Sequence, residues 1–190
     1  MNKIAFKLFF AFLLVNLYPL MATETSLEIR SAAFFHSSNR FREIYENVGG
    51  SYQLEASIKF NDCDCYETWA NFDWFSKHGK SDGFNDPTRV SIANISLGIK
   101  FPYQICEQFT AYIGIGPSLS RIWLKNKSQC SHERISKLAI GGVLKTGVYY
   151  FINRHFFIDV FVDYLYQPVH FETHVDIGGF KTGVGIGIKF

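Results

Sequence analysis

The segment His170-Phe171-Glu172-Thr173-His174-Val175-Asp176 sets imidazoles and carboxylates at alternate positions. In an extended chain successive side chains point to opposite faces, so His170, Glu172, His174 and Asp176 would share one face. Nitrogen and oxygen donors in that pattern suit a divalent metal. The same groups would orient phosphates or serve an acyl-ester hydrolase. No second motif supports any of these chemistries, and a solvated polar loop accounts for the residues more simply. No metal, cofactor or catalytic residue is therefore assigned.

Other reactive residues are equally isolated. His36-Ser37-Ser38 supplies a base and hydroxyls without the surrounding pattern of a Ser-His nucleophile. Cys63 and Cys65 are too close in sequence to bridge each other in the ordinary way. A disulfide from either to Cys106 stays open, and Cys130 is left over. Three cysteines here lack the usual zinc spacing. The formal net charge of +2 gives no case for a nucleic-acid partner.

The elements that must carry these residues are legible. Met1-Asn2-Lys3 and Lys7 are followed by an apolar run, Leu8 to Leu17, then Tyr18-Pro19 and Leu20-Met21-Ala22, which offers a small residue for cleavage. That is the layout of an export signal, so residues 1–22 are expected to be a leader and 23–190 the mature domain. Past it, alternation and β-branched or aromatic enrichment predict strands at 27–35, 52–60, 65–77, 89–101, 109–123, 136–151, 155–166 and 179–190. One short helix is expected after Ser38, ended by Gly49-Gly50.

Short and long connections alternate along this series. The short ones are 61–64, 102–108 and 153–154; the long ones are 36–51, 78–88, 124–135 and 167–178. Antiparallel neighbours would collect the short turns at one end, as in bacterial outer-membrane barrels. The predicted fold is all-β: an eight-stranded antiparallel up-and-down transmembrane β-barrel.

The strands also divide by face. The last one sets Phe180, Val184, Ile186, Ile188 and Phe190 against Lys181, Gly183, Gly185, Gly187 and Lys189. Gly gains nothing on an exposed convex surface, but on a concave wall it makes room for long neighbours. A Lys or Arg turned toward lipid at mid-depth costs roughly 2–4 kcal/mol. The polar face is therefore expected to line the lumen as a network of Glu28, Arg30, Glu55, Lys59, Glu67, Asp73, Lys100, Lys137, Lys145, Asp159, Asp163 and Lys181. Tyr52, Tyr66, Trp74, Phe101, Phe109, Tyr150 and Phe156 fall near strand ends, where interfacial belts are expected.

With its leader, eight alternating strands and a final Phe, the chain resembles the small outer-membrane barrels of the OmpA/OmpX type. FREIYENVGGSYQLEASIKF and HFFIDVFVDYLYQ are similar to uncharacterised barrels of Gram-negative intracellular bacteria. The resemblance implies that Phe180, Val184, Ile186, Ile188 and Phe190 form the C-terminal signal read by the barrel-insertion machinery. It implies outer-membrane localisation and lipid as surroundings, with a surface ligand or host component as a further partner. It brings no catalytic motif. The expected role is a structural or surface-interaction barrel with a plugged polar lumen and four extracellular loops. The alternatives are a lipid-modifying enzyme, resembling the lipid A acyl hydrolases, and a narrow channel.

Overall fold

A computed structural model describes residues 22–45, 47–60, 65–80, 87–127, 132–170 and 174–190. In chain order the elements are β1 (Ala22–His36), α1 (Asn39–Tyr45), β2 (Val48–Phe60), β3 (Glu67–Lys80), β4 (Pro87–Gln104), β5 (Phe109–Lys127), β6 (His132–Phe151), β7 (Phe156–Tyr166), β8 (Pro168–His170), β9 (His174–Asp176) and β10 (Gly179–Lys189). Eight of the strands close one antiparallel barrel in the order β1-β10-β7-β6-β5-β4-β3-β2. The seam joins β1 to β10, from Ser26 opposite Lys189 to His36 opposite Gly179. Beyond it, Phe190 N–H donates to Thr25 O at 2.8 Å and Thr25 N–H donates to Phe190 O at 3.2 Å. Closure leaves no ladder edge, which hydrocarbon would not tolerate. Among the described residues no helix is long and apolar enough to cross a membrane. The expected leader lies outside the described residues except for Ala22, where β1 begins.

The eight expected barrel strands are all present, and several are longer than read. β4 runs to Gln104, so the turn before β5 is shorter than 102–108. At the other end, the expected loops 78–88 and 124–135 are largely replaced by strand. β3 continues to Lys80, β4 starts at Pro87, β5 reaches Lys127 and β6 starts at His132. Ladder pairing holds these extensions together out to Lys80 opposite Pro87 and Lys127 opposite His132. The last long connection also gains a two-stranded hairpin, β8 with β9.

The short helix forms where expected. Ser38 caps it: Phe41 N–H donates to Ser38 Oγ at 3.4 Å and Arg42 N–H to Ser38 O at 3.1 Å. Gly49 and Gly50 do not end it. They belong to β2, and the ring of Phe75 packs where a side chain at Gly49 would stand.

The two wall faces are sorted in the reverse of a water-soluble protein. Ile29, Leu97, Ile115, Leu138, Ile140 and Ile186 are exposed on the outside, while Glu55, Lys100, Lys145 and Asp159 are buried within. Large contiguous apolar surface of this kind needs a lipid or protein cover. Of the aromatics expected at strand ends, Tyr52, Trp74, Phe101, Phe109, Tyr150 and Phe156 are exposed on that wall. Tyr66 is half-buried just ahead of β3. The Trp74 and Trp123 rings lie 6.0 Å apart at one end, and Phe109 and Tyr150 lie 5.0 Å apart at the other.

Candidate functional site

The barrel interior is the most elaborately built part of the molecule. Period-two alternation sends Glu28 and Arg30 inward from β1, Glu55 from β2, Asp73 from β3, Lys100 from β4, Lys145 from β6, Asp159 and Asp163 from β7, and Lys181 from β10. Each expected lumen residue in that set is buried. Lys59, Glu67 and Lys137 are half-buried at the ends of the lumen, where Lys59 and Glu67 are cross-strand partners.

Arg30 sits at the centre. Its guanidinium reaches Asp159 at 2.6 Å, Asp163 at 3.1 Å and Glu55 at 3.3 Å, with Glu28 at 3.1 Å from Nε. Arg30 also donates to Tyr112 Oη at 2.6 Å and stacks 3.6 Å above the Phe161 ring. Lys100 and Lys145 both pair with Glu55, and Lys100 donates to Tyr149 Oη at 2.6 Å. One level away Lys181 pairs with Asp73, which accepts from Ser51 Oγ at 2.6 Å. A fork of donors facing several carboxylates suits Arg better than Lys. Such a set is tolerable in a low dielectric only because its members pair.

Glycine leaves the space. A Cβ on Gly185 would strike the Glu28 carboxylate and the Arg30 side chain, one on Gly187 the Phe157 ring, and one on Gly147 the Tyr112 hydroxyl. The expected use of these glycines is what the packing shows.

Above and below, apolar side chains complete the filling. At the short-turn end Tyr112, Tyr149 and Phe157 pack together with Phe151, the first two rings stacking at 4.5 Å. At the opposite end Phe34, Phe41, Phe75, Val90, Ile92 and Ile122 belong to one buried cluster under α1. His36 lies in this cluster, with the Phe34 and Phe41 rings each 4.0 Å away and Phe75 at 5.0 Å. It is the last residue of β1, one beyond the outward-facing Phe35, and is taken to lie outside the membrane-spanning part of the strand. Burial pushes its pKa down to about 4, and the nearby Lys181 and Lys77 charges act in the same direction. The Ile177 backbone lies near enough to oppose this shift, yet neither ring nitrogen has a partner in hydrogen-bonding geometry. No Ser-His dyad forms with Ser37 or Ser38.

The His/carboxylate segment is not an extended strip. The chain reverses, so that His170 and His174 become cross-strand partners in the β8–β9 hairpin, and Asp176 comes opposite Pro168. Glu172 lies outside the described residues. Asp176 Oδ1 accepts from the backbone N–H groups of Gln167 and Gly178, both at 2.9 Å, and so ties the base of the hairpin. Among the described residues no group of three His, Cys, Asp or Glu stands together to hold a metal. Cys65 and Cys106 are exposed free thiols, so the structure has no bridge between them; Cys63 and Cys130 lie outside the described residues.

Sequence reasoning missed the neutral partners. Gln53 and Asn71 follow the alternation of Glu55 and Asp73 and were open to the same argument. Asn71 Nδ2 donates to Gln53 Oε1 at 2.8 Å. Phe34 and Phe75 continue the alternation of Arg30 and Asp73, but their residue types fit a lipid-facing wall equally well and so hide the burial.

No protein-family profile matches the chain, and no curated protein matches it. Solved structures do. Neisserial surface protein A (NspA) superposes with a TM-score of 0.64 at 18% identity, over 87% of this chain and 97% of that one. Ail, the attachment invasion locus protein of Yersinia pestis, in complex with the heparin analogue sucrose octasulfate, gives 0.59 at 15%, over 88% and 98%. The N-terminal β-barrel domain of Pseudomonas aeruginosa OprF gives 0.50 at 16%, over 87% and 97%. At such identities the likeness is one of fold: the chain has the architecture of the small bacterial outer-membrane barrels.

Proposed function

We propose that this protein is an outer-membrane surface barrel whose lumen is closed, serving as an anchor for the long connections at one end. The observation that carries the reading is the Arg30 cluster, in which buried Arg30, Lys100 and Lys145 knit Glu28, Glu55, Asp159 and Asp163 across the lumen. An eight-stranded barrel is just wide enough for side chains to fill. A water path would need these pairs to separate, and each buried charge left alone is costly.

The long-connection end, with α1 and the β8–β9 hairpin, is taken as extracellular, since outer-membrane barrels keep their short turns in the periplasm. The leader at 1–22 would deliver the chain, and the alternating face ending at Phe190 would present it to the insertion machinery. Neisserial surface protein A is named for the cell surface, and Ail is an attachment invasion locus protein seen with a heparin analogue. Those names support a surface-interaction role here, with a host or environmental ligand met by the exposed end.

Reconstitution in planar bilayers tests the closed lumen: a silent bilayer is expected, and discrete current steps would overturn it. Heat modifiability tests the barrel itself, since a folded barrel migrates differently on a gel before and after boiling.

A further inference from the structure

One surface of the barrel carries charge that the lumen network does not explain. On the outside wall at the long-connection end, the ladder aligns His78 with Arg89, Arg89 with Lys125, and Lys125 with Arg134. This is one continuous row of basic positions across β3, β4, β5 and β6. Like charges set directly opposite on neighbouring strands destabilise a sheet. His78, Arg89 and Lys125 are exposed, and among the described residues no carboxylate pairs with any of them.

The rows beneath are equally ordered. The next one toward the membrane aligns Ser76, Ser91, Trp123 and Ser136. Below that, Arg121 leans up: its Nε donates to Ser136 Oγ at 3.4 Å and its guanidinium lies 5.3 Å over the Trp123 ring. Arg89 Nε reaches down to Ser76 Oγ at 3.1 Å. Two residues of a tilted strand rise about 5 Å along the membrane normal, so the basic row stands about 10 Å above the Trp74 level. That is the depth of lipid headgroups. Among the described residues the outer wall of the opposite half has no counterpart: Val48, Tyr52, Phe35, Phe180, Tyr164 and Tyr166 face outward there.

We propose that Arg89, Arg121 and Lys125, with the serine row between them, bind the phosphate groups of a phosphorylated lipid in the outer leaflet. The inference rests on the outer-membrane reading and its orientation. The occupant is a lipid because the side chains project sideways from the wall, directly above the exposed Ile95, Leu97 and Leu119 that acyl chains would cover. Arg forks match phosphate oxygens, and hydroxyls supply further donors. A phosphate seated here would offset the like-charge row, which no carboxylate among the described residues does.

The test is retention of lipid by the full-length purified barrel after exchange from mixed micelles. The probes are bis-phosphorylated lipid A and the same lipid stripped of phosphate. The phosphorylated form should be kept, and R89Q/R121Q/K125Q should lower retention by roughly tenfold or more, the loss of a few charge-assisted bonds. R154Q, at the opposite end, should leave it unchanged. Equal retention of both lipids, or an unaffected triple variant, overturns the proposal. So does displacement by a soluble heparin-like polysulfate acting through the same residues, which would mark a site for aqueous polyanions. Heat modifiability is read on every sample. A chain that fails it fails as a barrel, which is a different result from a folded barrel that keeps no phosphorylated lipid.

Discussion

Arg30 on β1 reaches Asp159 on β7 by passing over Gly185 of β10, which is the ladder partner of both residues. The 2.6 Å contact is therefore made between strands that do not touch. It acts as a strut across the closing seam, and its length is available because the residue between has no side chain.

Removing the strut should be expensive. Arg30→Ala leaves Asp159, Asp163 and Glu28 buried with their main partner gone, a loss of about 3–5 kcal/mol. Urea midpoints of the gel shift would record it. An unchanged midpoint would mean that the lumen is wetter than its burial indicates.

The Asp73–Lys181 pair lends itself to a double-mutant cycle. Asp73→Asn and Lys181→Met alone should each destabilise, and the double variant should lose less than their sum by about 1–3 kcal/mol. Additive losses would remove the coupling.

Gly187 offers a test of packing rather than charge. Gly187→Ala places a methyl against the Phe157 ring, at a cost of about 1–3 kcal/mol. In a Phe157→Ala background the same change should cost clearly less. Equal costs in both backgrounds would exclude that ring as the obstacle.

His36 predicts a pH dependence with a definite sign. Its ordinary value is 6.5 and burial lowers it to about 4, so the folded state holds the neutral ring. The stability is fully present above about pH 6.5 and is lost as pH falls toward 4, with little further change below. The linked loss is on the order of 3 kcal/mol. Acid acts on other parts of the molecule as well, so the reading is a difference: His36→Phe should be less acid-sensitive than the parent between pH 7 and 4. Parallel curves would place the sensitivity elsewhere.

Orientation can be read from one thiol. With Cys63, Cys65 and Cys130 changed to Ser, exposed Cys106 between β4 and β5 should react with a membrane-impermeant maleimide only after the outer membrane is permeabilised. Labelling of intact cells would invert the barrel.

Much of this fold was legible because strand alternation is a local property. Leu54 and Glu55 announce their faces without reference to any distant residue, and the lumen set followed from that pattern. What escaped depended on partners far apart in the chain. Phe34 and Val90 carry no charge to mark them as interior residues, yet α1 and the barrel mouth bury them. The segment from His170 to Asp176 would share one face only if extended, and nothing in its own composition reports that Asp176 will accept from Gln167 and Gly178 instead. The row from His78 to Arg134 is invisible until the register of four strands is known.

The bonds between Phe190 and Thr25 also set an order of events. Until β10 arrives, β1 and β7 are bare rims, and a sheet with two such rims has no stable place in oil. Insertion and ring closure must then be nearly one act, and any agent that holds β1 would govern when it happens.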